Sequence, residues 1–265
     1  MQIRISFWLA YASPWILFFT AWQLAAELIG IPAPSQVLMD APSALSSAGI
    51  LKAFGSTVGR SLFVFVVSAV GGALLAVLPG TADAARKGFE GLVDFLRSIP
   101  VPVLLPVFMG LLGLYQGPKV ALAIFGCILV NIVYLSYGIR REMKSLRVRL
   151  AKGFGGSTWF VFSRVIFPAT IEDLVAGLRV TLSLALVLST LAELFLMTGI
   201  GAGVEIRLAY EDRDTVRMYT LIMLLGVVGV LLNRGFLLAE RSVMGYRYGL
   251  GAGGWRKQED QSSSA

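Results

Sequence analysis

Long apolar runs dominate this sequence, and they restrict the chain to folds that a lipid bilayer can hold. A helix needs about 20 apolar residues to cross the hydrocarbon core. Six runs approach that length, at about 7–29, 58–78, 89–112, 120–139, 170–197 and 218–238. Only 15% of the residues are charged, whereas a soluble domain needs roughly a quarter for its surface. We therefore predict an all-α, polytopic membrane protein with about six transmembrane helices.

The first segments bear on where the membrane fold begins. Residues 7–29 are interpreted as a retained helix, and a cleaved signal peptide is the alternative, although this run exceeds the usual apolar core of such peptides. Residues 31–38 contain two prolines, which predict a connection without regular helix. The predicted parts are a first helix with an extracytoplasmic connection (1–57), a core (58–241) that includes a cytoplasmic loop (140–168), and a disordered tail (242–265).

The third run is interrupted by Pro100, Pro102 and Pro106. A proline lacks the backbone donor that a helix needs, and inside a bilayer the freed carbonyl groups require protein partners or a water-lined cavity. This run therefore cannot be a plain helix that faces lipid.

The residues that the sequence lacks exclude several classes of chemistry. It contains no histidine, and its one cysteine, Cys127, lies inside an apolar run. Zinc sites, disulfides and Ser-His or Cys-His catalysis within the chain are therefore excluded. No Gly-x-x-x-x-Gly-Lys-Ser/Thr sequence occurs, so if ATP drives this protein, another chain binds it. The net charge is +7, but the basic residues form no stripe of the kind that binds nucleic acid in a soluble domain. We expect neither a cofactor nor a catalytic residue.

A glycine-rich, aromatic segment lies at residues 151–168, within a basic loop. Its glycines allow a sharp turn, after which Ser157 can cap a short helix through Phe162, and Pro168 is expected to end that helix. The exposed aromatic surface predicts that this helix binds in a groove of a partner protein. A helix that rests on the lipid headgroups is an alternative of equal weight. The residues expected to form the contact are Gly155, Gly156, Ser157, Thr158, Trp159, Phe160, Phe162, Arg164 and Pro168.

This segment resembles the cytoplasmic signature loop of ABC importer permeases, which runs Glu-Ala-Ala, three residues, Gly, nine residues, Ile-x-Leu-Pro. The residues that keep its spacing are Gly155, Val165, Phe167 and Pro168. Arg149 and Leu150 stand where the glutamate and the first alanine would be. Residues 31–38 and 97–102 resemble two further elements of nitrate-, sulfonate- and taurine-type permeases.

The resemblance implies a type I ABC importer permease fold over about residues 31–241. It implies that the chain pairs with a second copy or a paralogous permease, docks cytoplasmic ABC ATPase subunits through its coupling loop, and receives substrate from an extracytoplasmic binding protein. Substrates of such permeases are mainly small anions and related solutes, including nitrate, bicarbonate, sulfonates and taurine. A secondary transporter or a channel is the alternative, but a secondary transporter usually has paired broken helices, and only the third run is broken here.

The distribution of basic residues predicts the orientation in the membrane. With six spans both termini lie on one side, and that side carries 14 Lys and Arg residues against six on the other. Loops that stay in the cytoplasm are enriched in these residues. We therefore predict an inner-membrane protein with both termini and the 140–168 loop in the cytoplasm, and with membrane lipid as a further partner.

A mostly polar stripe is predicted along the fifth run. The residues that recur on its face every three or four positions are Arg179, Ser183, Leu186, Thr190 and Glu193. Glu193 is interpreted either as a solvated carboxylate near the end of the span or as part of a translocation pathway or a helix–helix contact. Asn131 is also interpreted as a residue that forms hydrogen bonds between helices. The residues predicted to line a translocation pathway are Arg97, Asn131, Ser183, Thr190 and Glu193.

Overall fold

The computed structural model describes the backbone of residues 2–81 and 83–262, and the side chains of residues 13–26, 28–77 and 87–242. Every regular element within these residues is helical, as predicted. The helices are α1 (Gln2–Ile29), α2 (Pro34–Ser46), α3 (Ala48–Thr81), α4 (Asp83–Ser98), α5 (Leu105–Leu112), α6 (Gly117–Met143), α7 (Leu146–Gly153), α8 (Thr158–Val161), α9 (Phe167–Ala169), α10 (Ile171–Leu196), α11 (Ala202–Glu211) and α12 (Thr215–Ser262). A 3₁₀ turn (Val101–Leu104) precedes α5, and a π turn (Phe162–Ile166) joins α8 to α9.

Four helices of the described chain are long and apolar enough to cross a membrane, or five spans if a bent pair of helices is taken as one. The four are Ala48–Val77, Gly117–Met143, Ile171–Leu196 and Thr215–Ser242. The bent pair is Lys87–Ser98 with Val101–Leu112, which meet at 90°. These correspond to the second to sixth predicted runs. Helix α1 covers the first run, but the side chains of residues 1–12 lie outside the described residues, so this span stays a prediction.

The bend in the third run lies at Pro100, between α4 and the 3₁₀ turn. The carbonyl of Pro100 accepts a hydrogen bond from the N–H of Val103 at 2.9 Å. The side chain of Val101 packs against α6, where a side chain on Gly126 would meet it at 3.1 Å. The broken backbone therefore lies against protein, as its prolines predict.

Helix α6 lies at the centre of the bundle and packs against both α3 and α10. In its apolar window 50% of the residues are buried, compared with 6% in α12. Small residues allow the close packing, because a side chain on Gly72 of α3 would meet Asn131 Cβ at 2.5 Å. The low burial of α12 leaves most of its surface to lipid or to another chain.

The predicted connection and the start of the second span are corrected. The sequence predicts no regular helix at residues 31–38, but α2 begins at Pro34, because proline is favoured in the first turn of a helix. Helix α3 begins at Ala48, earlier than the predicted 58. Its first turns are held by tertiary packing, since Ile50 and Phe54 are buried in a cluster with α11 and α12.

The end of the chain also differs from the prediction. Helix α12 continues to Ser262, where the sequence predicts a disordered tail from residue 242. A helix that has already formed extends more readily than a new one begins, because nucleation is the costly step. Residues 263–265 lie outside the described residues.

Candidate functional site

The glycine-rich turn after α7 has the local structure that the sequence predicts. Gly155 has φ +81°, in the left-handed region that favours glycine. The N–H of Gly156 donates to the carbonyl of Ala151 at 3.0 Å, and a side chain on Gly156 would meet that oxygen at 2.7 Å. Ser157 then caps α8, because its hydroxyl accepts the N–H of Phe160 at 3.2 Å.

Pro168 does not end the helix, and this prediction is wrong. The chain passes from α8 through the π turn into α9, so one apolar helical segment covers Thr158–Ala169. In a regular α-helix proline clashes with the carbonyl four residues earlier, whereas a π turn shifts the bonding to the fifth residue. Helix α9 leads directly into α10, and Thr170 between them does not cap α10 with its side chain, because its hydroxyl donates to the Phe167 carbonyl at 3.0 Å.

One face of the segment Thr158–Ala169 is buried by its own chain. Val161 is 1% exposed and Ile166 is 4% exposed. Both belong to a hydrophobic cluster with Leu135 and Ile139 of α6. The segment is therefore attached to the central span rather than free in solution.

The opposite face of the segment and the turn before it are aromatic and exposed. Trp159 is 75% exposed, Phe160 is 51% exposed and Phe154 is 89% exposed. The Trp159 ring stacks on Phe162 with 6.4 Å between the ring centroids. An aromatic surface of this kind is typical of a site that another molecule covers.

The surface beside this aromatic face is basic. Residues 144–170 include five Lys or Arg residues and no Asp or Glu. Arg147 and Arg164 line an open cleft of about 510 Å³ together with Leu150 and Val165. The Arg164 side chain forms no ion pair or hydrogen bond within the described part of the chain. The cleft therefore offers a free cation beside apolar walls.

A second cleft, of about 460 Å³, lies between α10 and α12. Ser183 and Thr190 of the predicted stripe line it, together with apolar side chains of both helices. Asn233 of α12 also lines it, and the buried Asn233 Oδ1 has no hydrogen-bond partner within the described residues. The sequence analysis missed Asn233, although the signal that singled out Asn131, an amide inside an apolar run, was present here too. The unpaired oxygen favours an occupant that donates a hydrogen bond.

Glu193 lies outside this cleft, in a buried polar cluster near the C-terminal end of α10. It is 0% exposed. Its carboxylate accepts hydrogen bonds from Thr57 Oγ1 at 2.8 and 2.9 Å, from the Gly203 N–H at 2.9 Å, and from the Arg60 guanidinium. Because Thr57 and Arg60 belong to α3 and Gly203 to α11, Glu193 joins three helices. The geometry favours the helix contact over the solvated carboxylate.

Two cations share this cluster with the one carboxylate. Arg60 also donates to Gln116 Oε1 at 3.1 Å, and the fully buried Lys119 donates to a backbone carbonyl in the loop after α10. A side chain on Gly201 would collide with the Glu193 carboxylate, so this loop packs tightly against the cluster. The sequence analysis did not select Arg60 or Lys119, although a cation next to an apolar run is a recognised signal for a buried ionic partner.

The two other predicted pathway residues also lie away from the α10–α12 cleft. Asn131 is 1% exposed; its amide donates to the Ser68 carbonyl at 3.0 Å and accepts from the Thr181 hydroxyl at 2.8 Å. Asn131 therefore links α3, α6 and α10, which is the interhelical role that the sequence allowed. Arg97 lies at the end of α4 and pairs with Asp94 at 3.5 Å.

Residues 69–244 match the family described as "Binding-protein-dependent transport system inner membrane component". The chain belongs to this family, the permeases of ABC importers. It is therefore a multi-pass inner-membrane protein and the non-catalytic component of its system, whose ATPase is a separate subunit.

Individual relatives agree with this family. A probable ABC transporter permease protein of Brucella melitensis is 26% identical, over 82% of this chain and 87% of its own. The taurine transport system permease protein TauC of Escherichia coli is 22% identical over 84% of each chain. The nitrate import permease protein NrtB of Synechocystis is 25% identical over 84% of each chain.

A solved structure supports the fold. The crystal structure of an amino acid ABC transporter with histidines matches with a TM-score of 0.57 at 12% identity. The match covers 72% of this chain and 92% of that one. The predicted ABC importer permease fold is thus confirmed.

Proposed function

We propose that this permease forms the translocation pathway for a small anionic solute together with a second copy or a paralogous permease. An ATPase and a binding protein are general partners of binding-protein-dependent ABC systems. The observation that carries the proposal for this chain is the divided surface of the segment Thr158–Ala169. Its buried face attaches it to α6, and its exposed aromatic face is available to the ATPase.

The shape and charge of the surroundings support ATPase docking over a lipid surface. The cleft beside Arg147 and Arg164 is concave. A side chain that protrudes from the surface of a partner protein fits it better than a flat lipid surface does. Arg147 pairs with Glu142 at 3.0 Å, which leaves Arg164 to attract a carboxylate on the facing surface, because complementary charge orients a partner and raises its association rate. Trp159 and Phe160 provide the apolar contact, while Gly155 and Ser157 shape the turn.

The names of relatives support the solute class. They include permeases for taurine, aliphatic sulfonates, bicarbonate and nitrate. In the α10–α12 cleft, the Ser183 hydroxyl and the Asn233 amide N–H groups can donate hydrogen bonds to anionic oxygen atoms, and the unpaired Asn233 Oδ1 can accept from the N–H or O–H of a solute such as taurine or bicarbonate. The Thr190 hydroxyl donates to the Leu186 carbonyl at 2.9 Å and offers its oxygen to the cleft. We assign these three residues to the pathway, and we assign Glu193 and Asn131 to the contacts that hold its walls.

The test of the proposed function is reconstitution of the whole importer in proteoliposomes. The permease is purified together with its ATPase and its binding protein. We expect ATP-dependent uptake of one of nitrate, taurine, an aliphatic sulfonate or bicarbonate, with hydrolysis stimulated by the loaded binding protein. A permease that binds no ATPase, or that transports without one, would contradict the proposal.

Removing polar groups from the cleft is expected to lower uptake. Ser183→Ala removes an exposed hydroxyl that lines the cleft, and a fall in uptake of about fivefold corresponds to one hydrogen bond. Asn233→Leu is expected to act in the same direction. The matched control is Thr220→Val on α12, whose buried hydroxyl donates to the Val216 carbonyl at 2.9 Å and lies away from the cleft. Uptake at the wild-type rate in both cleft variants would remove these residues from the pathway.

The orientation is tested with one introduced cysteine at a time in intact cells. Arg149→Cys is expected to be shielded from a membrane-impermeant thiol reagent, and Asp212→Cys is expected to react, because only the second lies outside the cytoplasm in the predicted topology. Both positions are exposed. The native Cys127 is buried, so the wild-type protein serves as the unlabelled control. Both variants should react after permeabilisation. The reverse pattern in intact cells would invert the topology.

A further inference from the structure

We propose that the C-terminal end of α6 binds the headgroup of an anionic phospholipid. Tyr137, Arg140, Arg141 and Lys144 line an open cleft of about 340 Å³. Their three- and four-residue spacing places them on one face of the helix. Helix α6 ends at Met143 but its apolar run ends at about residue 139, so Tyr137 lies inside the run and the three cations lie just beyond it. This is the boundary between the hydrocarbon core and the headgroups.

Neighbouring helices fix the two arginines at the walls of this cleft. The Arg141 guanidinium donates two hydrogen bonds to the Asp173 carboxylate of α10, at 2.9 and 3.2 Å. Arg140 pairs with Glu90 of α4. The Lys144 side chain forms no ion pair or hydrogen bond in the part of the chain that the structure describes. Two cations are thus held in position by carboxylates, and a third is left to neutralise a ligand.

The polar groups of the four lining residues suit a phosphate diester. The Lys144 ammonium, the Arg140 guanidinium and the Tyr137 hydroxyl can all donate hydrogen bonds, and phosphate oxygens accept them. Tyr137 is 61% exposed, and a ring with an apolar body and a polar tip is typical of the headgroup level. Basic clefts beside membrane helices are general binding sites for anionic headgroups.

The depth of the cleft favours lipid over the ATPase. Tyr137 belongs to the apolar run of α6 and Arg140 is the first residue after it, so the cleft lies where the run meets the headgroup level, which acyl chains and headgroups occupy. The cleft beside Arg147 and Arg164, proposed above for docking, starts beyond the end of the span. The two clefts have different lining residues, a third cleft that contains Arg141 and Arg147 adjoins both, and the lipid site does not depend on the solute.

The test measures which lipid the full-length permease retains. The purified protein is exchanged into detergent with equal amounts of phosphatidylglycerol and phosphatidylcholine, and the bound lipids are counted by native mass spectrometry. The wild type is expected to retain phosphatidylglycerol preferentially. Lys144→Gln is expected to lower the apparent affinity for phosphatidylglycerol about fivefold. Tyr137→Phe should cause a smaller loss, and Lys144→Arg should keep wild-type retention.

The matched control is Lys152→Gln, which removes one exposed lysine from the same loop but outside the cleft. Loss confined to Lys144→Gln and Tyr137→Phe supports the site. Equal loss in Lys152→Gln would show that charge alone attracts lipid, and would overturn it. Equal retention of both lipids by the wild type would overturn it as well. So would displacement of phosphatidylglycerol by millimolar inorganic phosphate, because the ligand would then be free phosphate.

Discussion

Replacement of Glu193 by alanine is expected to cost about 3–5 kcal/mol of folding free energy, because it leaves the buried partner charge unpaired. The carboxylate has no exposed surface and holds Arg60 and Thr57 of α3 and the backbone of Gly203 in α11. Its loss should release both helices from α10. The measurement is thermal unfolding of the detergent-solubilised permease, with a large fall in the midpoint temperature.

Companion variants separate the charge from the shape. Glu193→Gln keeps one oxygen to accept from Thr57 but loses the charge that faces Arg60, so a smaller fall is expected. Combining it with Arg60→Gln should cost less than the sum of the two single changes, because the pair is removed together. Glu211→Gln is the control, since this exposed carboxylate pairs with Arg207 at the surface and should contribute less than about 1 kcal/mol. If the Glu193→Ala variant unfolded at the same midpoint temperature as the wild type, the structural role of Glu193 would be refuted.

Trp159→Ala is expected to weaken association with the ATPase more than about tenfold, as loss of a central aromatic residue does in other interfaces. Burying the indole in a groove removes on the order of 200 Å² from water. At about 25 cal/mol per Å² this contributes roughly 5 kcal/mol before ordering costs. Because Trp159 is 75% exposed in the permease alone, its loss should leave the bundle intact. The measurements are pull-down of the ATPase and substrate-stimulated hydrolysis in liposomes.

Two further variants sharpen this test. Tyr210→Ala removes an aromatic ring that is 62% exposed on α11, outside the docking segment, and should bind the ATPase as the wild type does. Gly155→Val should weaken binding through the backbone alone, since the position has φ +81° and open space around it. If Trp159→Ala bound the ATPase normally, the segment would be assigned to the membrane surface instead.

Local features of the coupling segment and the spans could be predicted from the sequence. The turn at Gly155 and the cap at Ser157 depend on backbone conformation and one nearby hydrogen bond. The break at Pro100 depends on a missing donor. Pro168 was predicted wrongly because the π turn before it is held by packing of Ile166 against α6, and residue spacing carries no information about that packing.

The polar clusters could be predicted only in part, because their members come together through tertiary structure. Periodicity places Glu193 on a face of its own helix, but Thr57 lies 136 residues away in the chain and Arg60 lies 133 residues away. Nothing in one helix specifies which neighbour its polar side chains meet. For the same reason Asn233 was not linked to Ser183 and Thr190 until α10 and α12 were seen side by side.

The buried face of the segment Thr158–Ala169 determines how force on the loop reaches the membrane. Val161 and Ile166 share one cluster with Leu135 and Ile139 of α6, and a close-packed interior compresses little. If an ATPase binds the segment as proposed, a displacement of the segment passes to α6 instead of being absorbed between them. Because α6 packs against α10, which forms one wall of the α10–α12 cleft, that displacement would reach the cleft.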